Sequence, residues 1–167
     1  IHDWSVKNVE QFWEIVWNDT GIIYSQAFTK VLDDVDKMPG ARWFESSKLN
    51  FSENLLRKKN NDIAIEFYCE DKLSKKISYK ELNCLVSKVS NSFLELGLKP
   101  GDRIAAVMPN IPETIICMLA CVAVGAVWSS CSPDFGSDAI LNRFKQIKPK
   151  LLISTDGYYY KGKIFDL

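Results

Sequence analysis

Pro100-Gly101-Asp102-Arg103-Ile104-Ala105-Ala106-Val107-Met108-Pro109-Asn110-Ile111-Pro112-Glu113 (residues 100–113) is the stretch from which the fold class is read. Pro100-Gly101 is a turn. The unbroken apolar run Ile104 to Met108 predicts a strand buried on both faces. Asn110-Ile111-Pro112-Glu113 predicts a helix start, with proline in the first turn where its missing N–H costs nothing. The helix that follows, Thr114 to Val124, is apolar nearly all round and is expected to be buried. Gly125 ends it, and Ala126 to Ser130 predicts the next strand.

The alternation continues outward in both directions. Downstream, Asp138 to Ile147 predicts a helix with Ile140, Leu141, Phe144 and Ile147 on one face. Pro149 breaks it, and Leu151 to Ser154 predicts a final strand. Upstream, Ser78-Tyr79-Lys80-Glu81 is a capping box. The helix it opens carries Leu82, Leu85, Val86, Val89, Phe93 and Leu96, and Gly97 stops it. Before it, Ile63 to Tyr68 predicts a strand and Lys72 to Lys76 a polar turn. Strands alternating with helices over short turns imply an α/β fold with an open, mainly parallel sheet and right-handed crossover helices. Such a sheet places its ligand at the carboxyl ends of the strands. Here those ends are Met108-Pro109-Asn110, Ser129 to Pro133, and Thr155-Asp156-Gly157.

Residues 1–60 read differently, as a helical and irregular appendage to an α/β body spanning 61–167. Asn8-Val9-Glu10-Gln11 has the spacing of a capped helix start. Val9, Phe12, Trp13, Val16 and Trp17 follow on one face, and Gly21 ends the pattern. From Asp33 to Lys59 the pattern is irregular, with a turn at Pro39-Gly40.

Composition narrows the function. The 167 residues hold 21 Lys plus Arg against 21 Asp plus Glu. A neutral chain lacks the excess cation of a general nucleic-acid binder or a polybasic membrane anchor. The longest dense apolar run, Ile115 to Trp128, is shorter than the ~20 residues of a membrane-spanning helix. Five cysteines without C-x-x-C pairing fit neither a disulfide framework nor a zinc ribbon, and point to a reducing compartment. His2 is the only histidine, which removes Ser-His-Asp, Cys-His and histidine-based metal sites from these residues. The two sequons, at Asn18 and Asn50, are read as chance matches. The chain starts at Ile1 without a charged-then-apolar leader, so a cytosolic location is expected. It ends in Ile164-Phe165-Asp166-Leu167, an apolar pattern rather than a polar tail, so the chain is expected to be part of something longer.

Several patterns suggest chemistry. Asp134-Phe135-Gly136 copies a kinase metal-binding tripeptide, but the other kinase elements are missing from the sequence. Neither glycine-rich phosphate motif occurs. Cys117 and Cys121, one helical turn apart on an apolar helix, read as a buried thiol pair. Asp102 and Arg103 read as solvated turn charges. Lys161-Gly162-Lys163 could hold a phosphate between two ammonium groups or be ordinary surface. Ser129 to Asp138, rich in small and polar residues, suits a ligand-facing loop and a set of helix caps equally.

Four stretches resemble one family. They are Trp43-Phe44 with Leu49-Asn50-Phe51-Ser52-Glu53-Asn54-Leu55-Leu56; Gly101-Asp102-Arg103; Met108-Pro109-Asn110 with Pro112-Glu113; and Ser129-Ser130-Cys131-Ser132-Pro133-Asp134-Phe135-Gly136. With them nearly the whole chain resembles the amino-terminal part of the acetoacetyl-CoA synthetases, within the acyl-adenylate-forming superfamily. The resemblance implies a ligase that converts acetoacetate and MgATP to an acyl-adenylate and pyrophosphate. The CoA thiol then displaces AMP. ATP, magnesium and CoA thereby become expected substrates and cofactor of the full-length enzyme. The glycine-rich ATP loop with its lysine and the lid lysine have no match here, so the resemblance assigns no catalytic residue, and the isolated chain is expected to be inactive. It does assign a CoA region: Ser132, Pro133 and Asp134 match a CoA-contacting loop of the related acetyl-CoA synthetases. Tyr160 and Lys163 match the two arginines of an Arg-Gly-Gly-Arg segment, with Lys161 between them. Arg to Tyr removes a cation, and Arg to Lys exchanges a planar fork for a point charge. The alternatives are a sister enzyme acting on another short acid, and a truncated, non-catalytic form that binds a partner through its exposed sheet.

Overall fold

The computed structural model describes residues 1–70 and 73–166. Two compact units divide the chain, Ile1–Asn54 and Leu55–Leu167.

The first unit opens with two helices, α1 (His2–Lys7) and α2 (Val9–Asp19). The expected cap at Asn8 is not made by its side chain. Asn8 ends α1 as well as starting α2, and its amide Nδ2 donates to Trp4 O at 3.0 Å. Trp17 is buried in an aromatic cluster, with ring centroids 4.8 Å from Phe44 and 5.2 Å from Phe28. The stretch from Asp33 onward is more ordered than its pattern suggests. Strand β1 (Lys30–Leu32) pairs antiparallel with β2 (Trp43–Glu45). The carboxylate of Asp33 holds the intervening loop, accepting from Arg42 N at 2.7 Å, Arg42 Nε and Lys37 Nζ. These contacts, led by the backbone N–H, hold the Asp33 carboxyl well below the usual carboxylate range. The short helix α3 (Phe51–Leu55) spans the boundary, and Asn54 on it makes a two-way bridge to the backbone of Ile23.

The second unit is the α/β body. Its parallel sheet has the order β6-β5-β7, with β5 (Arg103–Val107) in the centre, β6 (Val127–Cys131) on one side and β7 (Leu151–Ser154) on the other. The register runs Ile104 opposite both Trp128 and Leu151. Side chains alternate across the pleat. Ile104, fully buried, faces a core built with helices α4 (Tyr79–Glu95) and α5 (Pro112–Ala123). Ala105 and Val107 point the other way, onto Phe144, Ile140 and Ile147 of α6 (Ser137–Ile147). Helices on both faces of a parallel sheet bear out the expected α/β class. The serine half of the expected capping box is made: Ser78 Oγ accepts from Glu81 N at 3.2 Å. No helix of the described residues is long and apolar enough to cross a membrane.

Several expectations are corrected. The expected polar turn at Lys72 to Lys76 is mostly a strand, β4 (Leu73–Ser78), although Lys72 itself lies outside the described residues. It pairs with β3 (Ile63–Cys69). Lysine is a poor strand former, but Ile77 packs fully buried while Lys76 meets Glu66 across the ladder at 2.6 Å. Tertiary packing outweighs propensity here. Leu141 does not join the buried face of α6, being 51% exposed; Phe144 fills that core instead. Likewise α5 is not buried all round, because Ile115 and Ala123 are exposed. Leu151–Ser154 is not the last strand. A hairpin, β8 (Gly157–Tyr160) and β9 (Lys163–Asp166), follows it.

Candidate functional site

A cleft of about 990 Å³ opens at the carboxyl ends of the parallel strands. Its floor comes from the three loops expected to carry a site: Pro109 and Asn110 after β5, Ser132 to Asp134 after β6, and Asp156 after β7. One wall is the β8–β9 hairpin. The other is the end of the β3–β4 hairpin, from Phe67 to Glu70. The topology explains the place: the loops after the neighbouring strands β5 and β6 lead to helices on opposite faces of the sheet, α5 and α6, and a crevice opens where such loops part.

Polar contacts tie the loops together. Thr114 Oγ1 donates to Pro109 O at 2.7 Å, fixing the entry to α5. Ser132 Oγ donates to Asp134 Oδ2 at 2.8 Å, and Tyr158 OH donates to Asp134 Oδ1 at 2.6 Å. The hydroxyl of Tyr158 first, and that of Ser132 second, stabilise the carboxylate and lower the pKa of Asp134. The same bond raises that of Tyr158. At neutral pH the pair is therefore a phenol donating to a carboxylate.

The hairpin wall is aromatic. Tyr158 stacks on Phe165 with ring centroids 5.5 Å apart. Its two strands approach so closely at Gly157 that a Cβ there would stand 2.7 Å from Phe165 O, and only glycine fits. The turn joining them is Lys161-Gly162, with φ of 49° and 74°. Two successive left-handed residues make a type I′ turn.

The residues singled out in the sequence fall into two groups. Ser132, Pro133, Asp134 and Tyr160 line the cleft together. Lys161 and Lys163 stand beside it on the hairpin turn, outside its lining, and the Lys161 ammonium lies 5.2 Å from the centre of the Tyr160 ring. The lining is acidic, with Glu70, Glu113, Asp134, Asp156 and Asp166 against Lys75, which pairs with Glu113 at 3.3 Å. The loop after β6 supplies the N-cap of α6 without a side-chain cap bond. Asp134 faces the cleft, while Gly136 is the N-cap of α6 and Phe135 lies under the Arg143 guanidinium at 4.4 Å.

Asp102 and Arg103 are not merely solvated turn charges. Asp102 accepts from Lys99 N and from Lys150 Nζ, both at 2.8 Å, and Arg103 Nε donates to Ile147 O. Of the expected buried thiol pair, Cys121 is buried and Cys117 only half-buried. Burial pushes the Cys121 thiol up to about 11 and raises that of Cys117, which removes thiolate character from both. Sequence reasoning missed Tyr158 and Glu70. Tyr158 stood in a visible run of three tyrosines beside a strand end, but Glu70 carried no pattern at all.

Comparison with known proteins agrees with this architecture. The AMP-binding enzyme family model matches residues 51–163, and the model for the acetyl-coenzyme A synthetase N-terminus matches residues 1–55. The chain is 49% identical over 166 residues to acetoacetyl-coenzyme A synthetase of Rhizobium meliloti (strain 1021), covering 99% of this chain and 25% of that protein. It is 39% identical to acetoacetyl-CoA synthetase of Xenopus tropicalis, with 98% and 25% covered. A solved structure of acetoacetyl-CoA synthetase from Streptomyces lividans superposes with a TM-score of 0.92 at 38% identity, covering 99% of this chain and 26% of that one. The chain thus spans about a quarter of the length of the curated relatives it matches. With the family model running from α3 through the whole parallel sheet to the β8–β9 turn, the chain belongs to the AMP-binding enzyme family.

Proposed function

We propose that this chain is the amino-terminal portion of a cytosolic, ATP-dependent acid–CoA ligase that converts acetoacetate, ATP and CoA to acetoacetyl-CoA, AMP and pyrophosphate through an acyl-adenylate. What carries the reading is identity of 49% to a protein named for that product, spread over 99% of the chain. The 33% identity to malonamoyl-CoA synthetase vrtB of Penicillium aethiopicum supports a second reading, in which the acid differs and the two-step chemistry is the same.

The part played by these residues is to shape one side of the thiol-ester-forming site. Ser132, Pro133 and Asp134 offer a loop held rigid by two hydroxyl-to-carboxylate bonds, and Tyr160 offers a ring beside it. Both suit the nucleotide end of CoA. The acidic lining repels phosphate, so Lys161 and Lys163 on the adjacent turn are the cations of this chain that would receive it. Among the described residues no group of three or more His, Cys, Asp or Glu side chains is placed to hold a metal ion, and magnesium is assigned no residue here.

The isolated 167 residues carry no ligase activity on this reading. A coupled assay of pyrophosphate release with acetoacetate, ATP and CoA tests it. The pure chain is expected to match a no-enzyme blank, and the longer protein that contains it to turn over acetoacetate in preference to malonamate. Turnover by the pure chain, or a preference for another acid, overturns the corresponding part.

A further inference from the structure

The end of β3 meets the β8–β9 turn beside the cleft through the side chain of Glu70. Glu70, just past the end of β3, accepts Lys161 N on Oε1 at 2.6 Å and Gly162 N on Oε2 at 2.7 Å. Both donors are backbone groups of the β8–β9 turn, and more than 90 residues separate them from Glu70 in sequence. Lys161 and Gly162 both have positive φ, and their two consecutive N–H groups converge on the one carboxylate. Paired amides of this kind make a small anion-binding concavity. Here a carboxylate fills it with one oxygen per donor, at the short distances of charge-assisted bonds. Glu70 therefore stands in for the anionic group of a ligand. Because Glu70 and Tyr160 both line the cleft, the contact also straps its two walls together.

We propose that Glu70 is an autoinhibitory strap, an internal anion that occupies the Lys161 and Gly162 amides and must leave before a ligand phosphate takes them. Displacement does two things at once. It hands the turn, with its neighbouring Lys161 and Lys163 ammonium groups, to the incoming phosphate. It also withdraws a carboxylate from a lining already rich in them and frees the β3–β4 tip from the opposite wall. The identity of the displacing ligand as CoA rests on the ligase reading; the strap itself does not.

The test is amide NMR on the 15N-labelled chain and on its Glu70→Ala and Glu70→Gln variants, with the β5 amides as the control for folding. Hydrogen exchange at Lys161 and Gly162 is expected to quicken about tenfold or more in Glu70→Ala, the factor corresponding to one lost charged hydrogen bond. Glu70→Gln, which keeps an acceptor of the same shape, falls between. Titration with inorganic phosphate is expected to move the same two amides at several-fold lower concentration in both variants than in the unaltered chain. Unchanged exchange, or a phosphate response no stronger without the carboxylate, overturns the strap. A parallel titration with CoA separates the two readings. A phosphate response without a CoA response leaves the strap standing and removes CoA as the ligand.

Discussion

Each end of the parallel sheet holds an aspartate, and the two are bound by different chemistry. At the amino ends of β5 and β7, Asp102 meets an ammonium group, Lys150 Nζ, which also donates to Gly97 O at 2.6 Å. Charge is matched there, and the contacts join a turn to the start of a neighbouring strand. At the carboxyl ends, Asp134 meets two neutral hydroxyls, and no cation among the described residues pairs with it. Both carboxyls are lowered, Asp102 chiefly by Lys150 and Asp134 chiefly by Tyr158. The amino end cancels its charge and serves architecture. The carboxyl end keeps its negative charge beside a cleft, where a ligand or another part of a longer protein would feel it. The two aspartates thus stand at opposite ends of neighbouring strands, Asp102 just before β5 and Asp134 in the loop after β6.

Changing the central strand should weaken the whole sheet. Ile104→Ala removes a fully buried side chain from the core under β5 and is expected to destabilise the second unit by about 2–5 kcal/mol. Urea denaturation read at the β5 amides measures it, and a loss below the cost of an exposed substitution contradicts the described core. Asp102→Asn acts only at the amino end and has a smaller effect. The folded pKa of Asp102 lies below its unfolded value, so its stabilisation is present at neutral pH. It fades as pH falls from the ordinary aspartate value of about 3.9 through the lowered folded value. The variant should melt lower than the unaltered chain at pH 7, with the gap closing in acid. A gap constant with pH would show that charge plays no part.

The smallest effect belongs to the carboxyl end. Tyr158→Phe removes the leading donor to Asp134 while keeping the ring stacked on Phe165. Melting should stay nearly unchanged, and the Asp134 carboxyl should titrate closer to its ordinary value, as carboxyl carbon NMR would read. A large drop in melting temperature with no change in titration would make this end architectural too, and the contrast between the ends would disappear.

Much of the fold was legible because burial leaves a periodic record. The apolar run at Ile104 to Met108 and the stripe Leu82, Val86, Phe93 repeat at the spacing of their elements. The three loops at the strand ends were legible for a topological reason, since parallel strands bring all their carboxyl ends to one end of the sheet. Where packing competes with propensity the record misleads, as at Lys75 and Lys76, both exposed on a strand that buries Ile77. Leu141 misleads in the opposite sense, being apolar at helical spacing yet more than half exposed.

The elements around the parallel sheet, the α/β class, the position of the cleft and the family resemblance follow from the order of residues along the chain, since each depends on neighbours within a turn or two or on short motifs. The partners of Asp134, Asp102 and above all Glu70 do not. A hydrogen bond between groups tens of residues apart leaves no periodicity behind. It exists only once the packing of apolar faces has brought two polar tips within three ångströms of each other.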